Sequence, residues 1–285
     1  LIASAPEIDR TAKLYIGGKQ VRPDGGYSRP LRFNGKLVAT MPEGNRKDIR
    51  NAVEAARKAG GWERNTAHGR AQVLYYLAEN LQAQRNRFIQ TLSLVQTGQQ
   101  ASDEFDASIE SLFYYAAWAD KFDGQVHQPP MHGIVTALNE ALGVIGIVCP
   151  NEAPLLGLIA LVAPAIALGN RVVVLPSAAL PLVATDLYQV LDTSDLPDGV
   201  VNIVTGPATE LAAVLASHAD VDAVWRHDGD AEGCAEVERL SAGNLKRSWV
   251  GGGRGRLWHK TGQGRGPEFL RQASQVKNIW VPYGV

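Results

Sequence analysis

The sequence predicts an α/β fold organised on a doubly wound parallel sheet, and three features of residues 143–250 predict it. Short β-branched runs recur at 144–149, 172–175, 200–204, 221–225 and 247–250. Helical stretches separate them at 154–168, 181–191, 209–217 and 231–242. The turns between them are short, so each strand must cross over to a parallel neighbour, with helices covering both faces. Pro154 and Pro181 suit the first turn of a helix, where a missing N–H costs nothing. Gly169-Asn170 suits a helix stop.

The elements before this core read as a small sheet followed by helices. Leu14 to Val21 reads as a hairpin with Gly17-Gly18 at its turn. Asn45 with Asp48 three residues later has the spacing of a reciprocal cap, and Ile49, Ala52, Val53 and Ala56 then share one helical face. A second amphipathic helix is expected from about Arg70 to Phe88, and a third carries Phe105, Ile109, Leu112, Phe113 and Ala116. Beyond Val250 the chain turns Gly-rich, basic and aperiodic, and 254–267 reads as a solvated linker. Residues 275–281 read as a closing strand that must pair with something, and the isolated strand candidate at 127–138 is available to it.

Composition excludes several classes. The chain has 285 residues, 45% of them hydrophobic, and a formal net charge of −1, which leaves no electrostatic footprint for nucleic acid or an anionic membrane surface. Arg254, Arg256, Lys260 and Arg265 around Trp258 are the one basic cluster, and without a basic face elsewhere they read as connector rather than RNA-binding segment. Two cysteines, Cys149 and Cys234, make neither a disulfide framework nor a zinc site and fit a reducing, cytoplasmic setting. The apolar run 153–169 is broken by Pro154 and Pro164 and reads as a buried helix, not a membrane span. No Gly-x-Gly-x-x-Gly, P-loop or Gly-x-Ser-x-Gly occurs. His127 and His132 straddle two prolines and make a poor metal pair, and His68, His218, His227 and His259 read as surface or loop residues.

Several stretches together carry a resemblance. They are Tyr15-Ile16-Gly17-Gly18-Lys19, Leu142-Gly143-Val144-Ile145-Gly146-Ile147-Val148, Ala163-Pro164-Ala165-Ile166-Ala167-Leu168-Gly169-Asn170 and Leu196-Pro197-Asp198-Gly199-Val200-Val201-Asn202. On these the chain resembles the aldehyde dehydrogenase superfamily over nearly its whole length. The resemblance implies an NAD-binding domain and a β-flap that joins subunits, assigned here to 1–123 with 140–253 and to 124–139 with 268–285. It also implies that the chemistry is missing. The family's oxyanion-holding Asn corresponds to Glu152, and a carboxylate there repels developing negative charge. The ribose-binding Lys and Glu correspond to Leu175 and Ala178, and two nucleotide-admitting glycines to Ala208 and Ala212. The phosphate-facing turn corresponds to Arg226-His227-Asp228-Gly229, where Asp228, Asp230 and Glu232 oppose a pyrophosphate. The general base falls on Val250, and the linker stands where the catalytic domain and its nucleophilic Cys belong.

The chain is most similar to the C-terminal, non-catalytic domain of family-sixteen aldehyde dehydrogenases, and Val276-Lys277-Asn278-Ile279-Trp280-Val281-Pro282-Tyr283-Gly284 supports that match. Its start at Leu1, without an initiator Met, fits a piece of a longer polypeptide. The resemblance therefore implies a pseudoenzyme domain, itself neither catalytic nor expected to bind NAD, inside an NAD-dependent parent. Its flap residues Val276, Ile279, Trp280 and Val281 would pair onto the parent's catalytic domain or a homodimer partner. The alternative is weak NAD(P) binding that contributes directly to aldehyde oxidation. A crevice reading some other ligand is also open.

Overall fold

The structure is a computed structural model and describes residues 11–130 and 132–283. Leu1, Met131 and the closing Gly284 and Val285 of the expected flap lie outside the described residues.

The chain opens with two hairpins, β1 (Leu14–Ile16) with β2 (Lys19–Val21), and β3 (Ser28–Phe33) with β4 (Lys36–Pro42). Gly17 and Gly18 both adopt positive φ, as a two-residue turn between twisted strands requires. The first hairpin is no separate sheet: the buried Asn202 amide accepts from Gly17 N at 2.9 Å, and β1 pairs antiparallel with a core strand. The second hairpin was not legible from the sequence, because its burial follows no clean alternation and a register shift interrupts it at Leu31/Arg32.

Five helices follow: α1 (Arg46–Lys58), α2 (Gly61–Arg64), α3 (Ala67–Ala83), α4 (Arg85–Leu92) and α5 (Gly98–Trp118). Asn45 and Asp48 form the reciprocal cap of α1. The single helix expected from Arg70 to Phe88 is instead broken at Gln84, whose N–H turns back to Leu81 O. The break redirects Phe88 onto the Phe105 ring of α5, 6.1 Å away, and tertiary packing there overrides helix continuity.

After β5 (Gln125–His127) and β6 (Gly133–Ala141), the crossover core runs β7 (Val144–Val148), α6 (Leu156–Ala167), β8 (Arg171–Leu175), α7 (Leu182–Asp186), α8 (Tyr188–Asp192), β9 (Val201–Ile203), α9 (Ala208–Ser217), β10 (Ala223–Arg226), α10 (Ala231–Ser241) and β11 (Arg247–Val250). Leu187 divides the helix expected over 181–191, and Pro154 and Pro181 sit just before their helices rather than inside the first turn. The sheet order is β11-β10-β7-β8-β9-β1-β2, parallel from β11 to β9. The chain winds outward from β7 and then returns to its other side, so the switch point lies between β7 and β10.

Every residue of α6 is buried. Its first turn receives no cap of its own. The buried Glu104 of α5 supplies one, its Oε1 accepting from Leu155 N at 2.7 Å and Leu156 N at 3.0 Å, a carboxylate held at the positive end of a helix.

The chain ends with α11 (Pro267–Gln272) and β12 (Ser274–Pro282). β12 pairs with β6 along its whole length, giving a second sheet in the order β12-β6-β5. The segment read as a solvated linker is irregular and mostly exposed, but it is anchored at Trp258 and Arg256. Trp258 is 4% exposed, and the Arg256 guanidinium lies 4.9 Å from the Trp249 ring and 5.4 Å from the Phe269 ring while donating to Glu268 at 2.7 Å. Its anchors are contacts to β11 and α11, which a periodicity reading of the segment alone does not register.

Leu245 follows a short 3₁₀ turn in the left-handed region, with φ +56°, and is 93% exposed. A leucine there bears a steric cost and recovers no burial. Leu245→Gly is therefore expected to stabilise the chain by about 1 kcal/mol, read as a raised urea midpoint with an unchanged slope. A lowered midpoint would show that Leu245 makes a contact worth more than its strain.

Candidate ligand crevice at the switch point

The carboxyl ends of β7, β8, β10 and β11 meet at the switch point, where an open α/β sheet places ligands. The loop after β7 is stitched to the loop after β8 by Asn151, whose Oδ1 accepts from Ala178 N at 2.9 Å, Ala179 N at 3.2 Å and Ser177 Oγ at 3.1 Å. This leaves Glu152 exposed on the rim beside buried Ala153. Leu175 ends β8 in the apolar core, and Ala178 presents only its N–H to the loop. Ala208 opens α9, and Ala212, one turn on, is buried against the sheet.

The loop after β10 holds the densest charge. Arg226, 1% exposed, donates from Nε and Nη2 to the two carboxylate oxygens of Asp228, each at 3.0 Å, and from Nη2 to Asp230 at 2.6 Å. Asp230 in turn caps α10, accepting from Gly233 N at 3.0 Å. The guanidinium lies against the first turn of that helix, and a Cβ on Gly233 would sit 2.2 Å from Arg226 Cζ. Of the three carboxylates expected to oppose a pyrophosphate, Asp228 and Asp230 are bound to one buried arginine. The Arg-x-Asp-x-Asp spacing was visible in the sequence, but the inward path of the arginine was not.

His227, read as a surface or loop residue, lies in the loop after β10 but is not on the surface. It is 4% exposed, with its ring 4.5 Å from Trp249 and 6.1 Å from Trp258, and neither ring nitrogen has a hydrogen-bond partner. Burial, with help from nearby Arg256, lowers its pKa to about 3, so the ring is neutral near pH 7. Cys149 and Cys234 are free and buried, and burial pushes the Cys149 thiol up, away from the thiolate a nucleophile needs. Among the described residues no group of three or more His, Cys, Asp or Glu is placed to hold a metal ion, and no helix is long and apolar enough to cross a membrane.

The crevice thus gathers Glu152, Ala178, Ala208 and Asp228 at one end of the sheet. Val276, Ile279, Trp280 and Val281 lie on β12, in the other sheet.

A parallel sheet wound outward from a central switch point, with helices on both faces, defines a doubly wound α/β protein. More closely, residues 27–253 match the model of the aldehyde dehydrogenase family, and the chain belongs to that family. It is 34% identical over 223 residues to an aldehyde dehydrogenase of Agaricus bisporus, a match spanning 75% of this chain and 44% of that one. It is 29% identical over 242 residues to betaine aldehyde dehydrogenase of Bacillus subtilis, covering 82% and 49% respectively. Among solved structures, the NAD+ complex of an aldehyde dehydrogenase from Bacillus cereus superposes with a TM-score of 0.80 at 28% identity, over 85% of this chain and 50% of that one. The chain spans about half the length of the curated relatives it matches.

The buried histidine sets an acid sensitivity. Unfolded, His227 takes up a proton below about pH 6.5, whereas folded it resists until about pH 3. Between those values the unfolded state binds more protons, so stability falls with falling pH by up to about 1.4 kcal/mol per unit. His227→Phe is expected to flatten that slope, measured as the difference between wild-type and variant urea midpoints at pH 7, 6, 5 and 4. Parallel curves would contradict a neutral buried imidazole.

Proposed function

We propose that the chain is a non-catalytic assembly domain of an NAD-dependent aldehyde dehydrogenase, with β12 as the strand it offers to a catalytic domain or partner subunit. The observation that carries this reading is β12 itself. Nine residues long, it pairs on one side with β6 and presents its other edge unpaired among the described residues. Val276, Ile279, Trp280 and Val281 project from it, Trp280 at 59% exposure. Such an edge with apolar side chains is a template for strand addition.

The crevice supports the non-catalytic part. Aldehyde oxidation needs a thiolate, an oxyanion donor and a base. The 254–267 segment stands where the resemblance puts the nucleophile, Cys149 and Cys234 are buried elsewhere, and Glu152 and Val250 stand at the places of the oxyanion donor and the base. The residues present also fit NAD poorly. Leu175 and Ala178 offer no charged group to ribose hydroxyls, and Arg226 with Asp230 fills the first turn of α10. Losing two charge-assisted hydrogen bonds of about 1.5–3 kcal/mol each weakens a site by roughly two to four decades. The second reading, weak NAD(P) binding, is favoured only by the retained crevice and by the NAD+ complex of the Bacillus cereus relative.

Deleting residues 275–285 from the polypeptide that contains this chain is expected to break its assembly, seen by light scattering, and to lower turnover. Trp280→Lys with Ile279→Lys should do the same without changing the unfolding midpoint. Native size with full turnover in both would overturn the proposal. Calorimetric titration of the chain with NAD is expected to show no sub-millimolar binding, and sub-millimolar binding would favour the second reading.

A further inference from the structure

We infer that the free edge of β12 pairs antiparallel with β12 of a second copy of this chain, Asn278 meeting Asn278 on a two-fold axis. This rests on the reading of β12 as an assembly strand and names its partner. The strand is exposed over 275–282, and its pairing with β6 fixes which backbone groups face outward. Tyr283 donates its N–H to His132 O, and the Val281 carbonyl also points to β6, 3.1 Å from where a Cβ on Gly133 would stand. The N–H and C=O of one residue leave a strand on the same side, and the side alternates along it. Val276, Asn278 and Trp280, with Ser274 and Pro282 at the ends, therefore turn their backbone groups to the open edge. The Arg247 guanidinium agrees with this, since it reaches Ser274 O there.

These outward groups complement themselves, as an isologous two-fold interface requires. Val276, Asn278 and Trp280 each offer a donor and an acceptor. Pro282 has no N–H to give, and Ser274 O needs none, because Arg247 already donates to it. With Asn278 on the axis, Val276 faces Trp280 of the other copy and Ser274 faces Pro282, so the engaged carbonyl meets the residue that lacks a donor. Moving the axis to Ile279 sets Pro282 against Val276 and leaves the Val276 carbonyl unanswered. Moving it to Lys277 sets Trp280 against the engaged Ser274 carbonyl and Lys277 against Lys277, a like-charge pair. The side chains favour the same register. Trp280 and Val276, 59% and 60% exposed, meet as aromatic and β-branched cross-strand partners, and Lys277, held by Glu140, lies beside Ile279.

A second observation lies at the root of β12. The pairing lays 281–283 of the other copy along 273–275, at the mouth of a cavity of about 750 Å³ lined by Leu142, Leu245, Arg247, Gln275 and Val276. Leu245 stands there with φ +56° and 93% exposure, a strain that nothing within one copy repays. Tyr283, also exposed within its own copy, arrives beside it from the other. The strained leucine thereby gains the burial it lacks in a single copy.

Light scattering of the chain at rising concentration is expected to show a dimer, and mild oxidation of single-cysteine variants reads its register. Asn278→Cys should cross-link fastest, because a residue on the axis meets itself at about 5.5 Å between Cα atoms, within disulfide reach. Lys277→Cys and Ile279→Cys lie about 7–8 Å from themselves and should lag; wild type, whose cysteines are buried, is the blank. Asn278→Pro removes an outward N–H, which an edge strand tolerates, and should weaken the dimer by about tenfold or more without moving the unfolding midpoint in dilute solution. Leu245→Gly should weaken the dimer while raising that midpoint. The inference fails if the chain stays monomeric to millimolar concentration, if cross-linking peaks at Lys277→Cys or Ile279→Cys, or if Asn278→Pro dimerises like wild type. Such a failure, with assembly of the longer polypeptide still lost on deleting 275–285, overturns the self-pairing and leaves the assembly role standing. A polypeptide indifferent to that deletion overturns the assembly role, and the self-pairing with it.

Discussion

The architecture depends on one buried amide. Asn170, at the end of α6 and fully buried, uses its whole hydrogen-bonding capacity. Its Oδ1 accepts from Leu142 N at 2.7 Å and Gly143 N at 3.0 Å, and its Nδ2 donates to Ala165 O at 2.9 Å and Ala273 O at 2.8 Å. Those four partners belong to the junction of β6 with β7, to α6 and to the residue before β12. One side chain therefore fixes where the crossover sheet ends and where the three-stranded sheet begins. Without it the Leu142 and Gly143 N–H groups and the Ala273 carbonyl would lose these partners, at about 1–3 kcal/mol for each left buried and unsatisfied, while Ala165 O would keep the backbone N–H of Asn170 at 3.1 Å. The flap leaves the core from a clamped root, so the direction of β12 is set by the sheet it departs from.

The same economy of buried polar groups shapes the crevice. Helix N-termini attract anions, and this chain answers two of them internally: Glu104 closes α6, and Asp230, backed by Arg226, closes α10. Burying Arg226 is tolerable because both of its carboxylates are bound within the same loop. Nothing comparable is spent on the rim between β7 and β11, where Glu152 and Lys260 stay unpaired among the described residues. The two ends of the crevice therefore differ in kind, one saturated by its own side chains and the other still holding uncommitted charge.

What the sequence made legible follows from the range of the interactions involved. The crossover core was readable because each strand and helix announces itself by local period, and the cap at Asn45 because its partner lies three residues away. The split at Gln84, the packing of Trp258, the helix α11 and the burial of His227 were not readable, because each is decided by a partner outside its own segment: Phe105 for Phe88, His227 for Trp258, and Trp249 for Phe269 and for His227. The crevice positions were named through resemblance to a family. The resemblance located Asp228 as a charge and could not supply Arg226 as its partner, since a motif states residue types and not the direction a side chain takes.

The faces of the flap constrain what could cover it. Residues opposite one another in an antiparallel pair project to the same side, so Val281 with Ile134, Lys277 with Leu138, and Ile279 with Thr136 and Val126 share one face. There Val126, Ile134, Leu138, Ile279 and Val281 are all exposed, with Thr136 and Lys277 among them. On the opposite face Val135 and Ala137 are already buried, and Trp280 and Val276 project from beside them near the open edge. A flat lid laid on the first face would leave Trp280 in water. A strand added at the edge of β12 reaches both faces at once, its alternate side chains meeting Ile279 and Val281 on one side and Trp280 on the other, and that geometry is why edge addition, rather than face stacking, is the docking mode for the proposed assembly role.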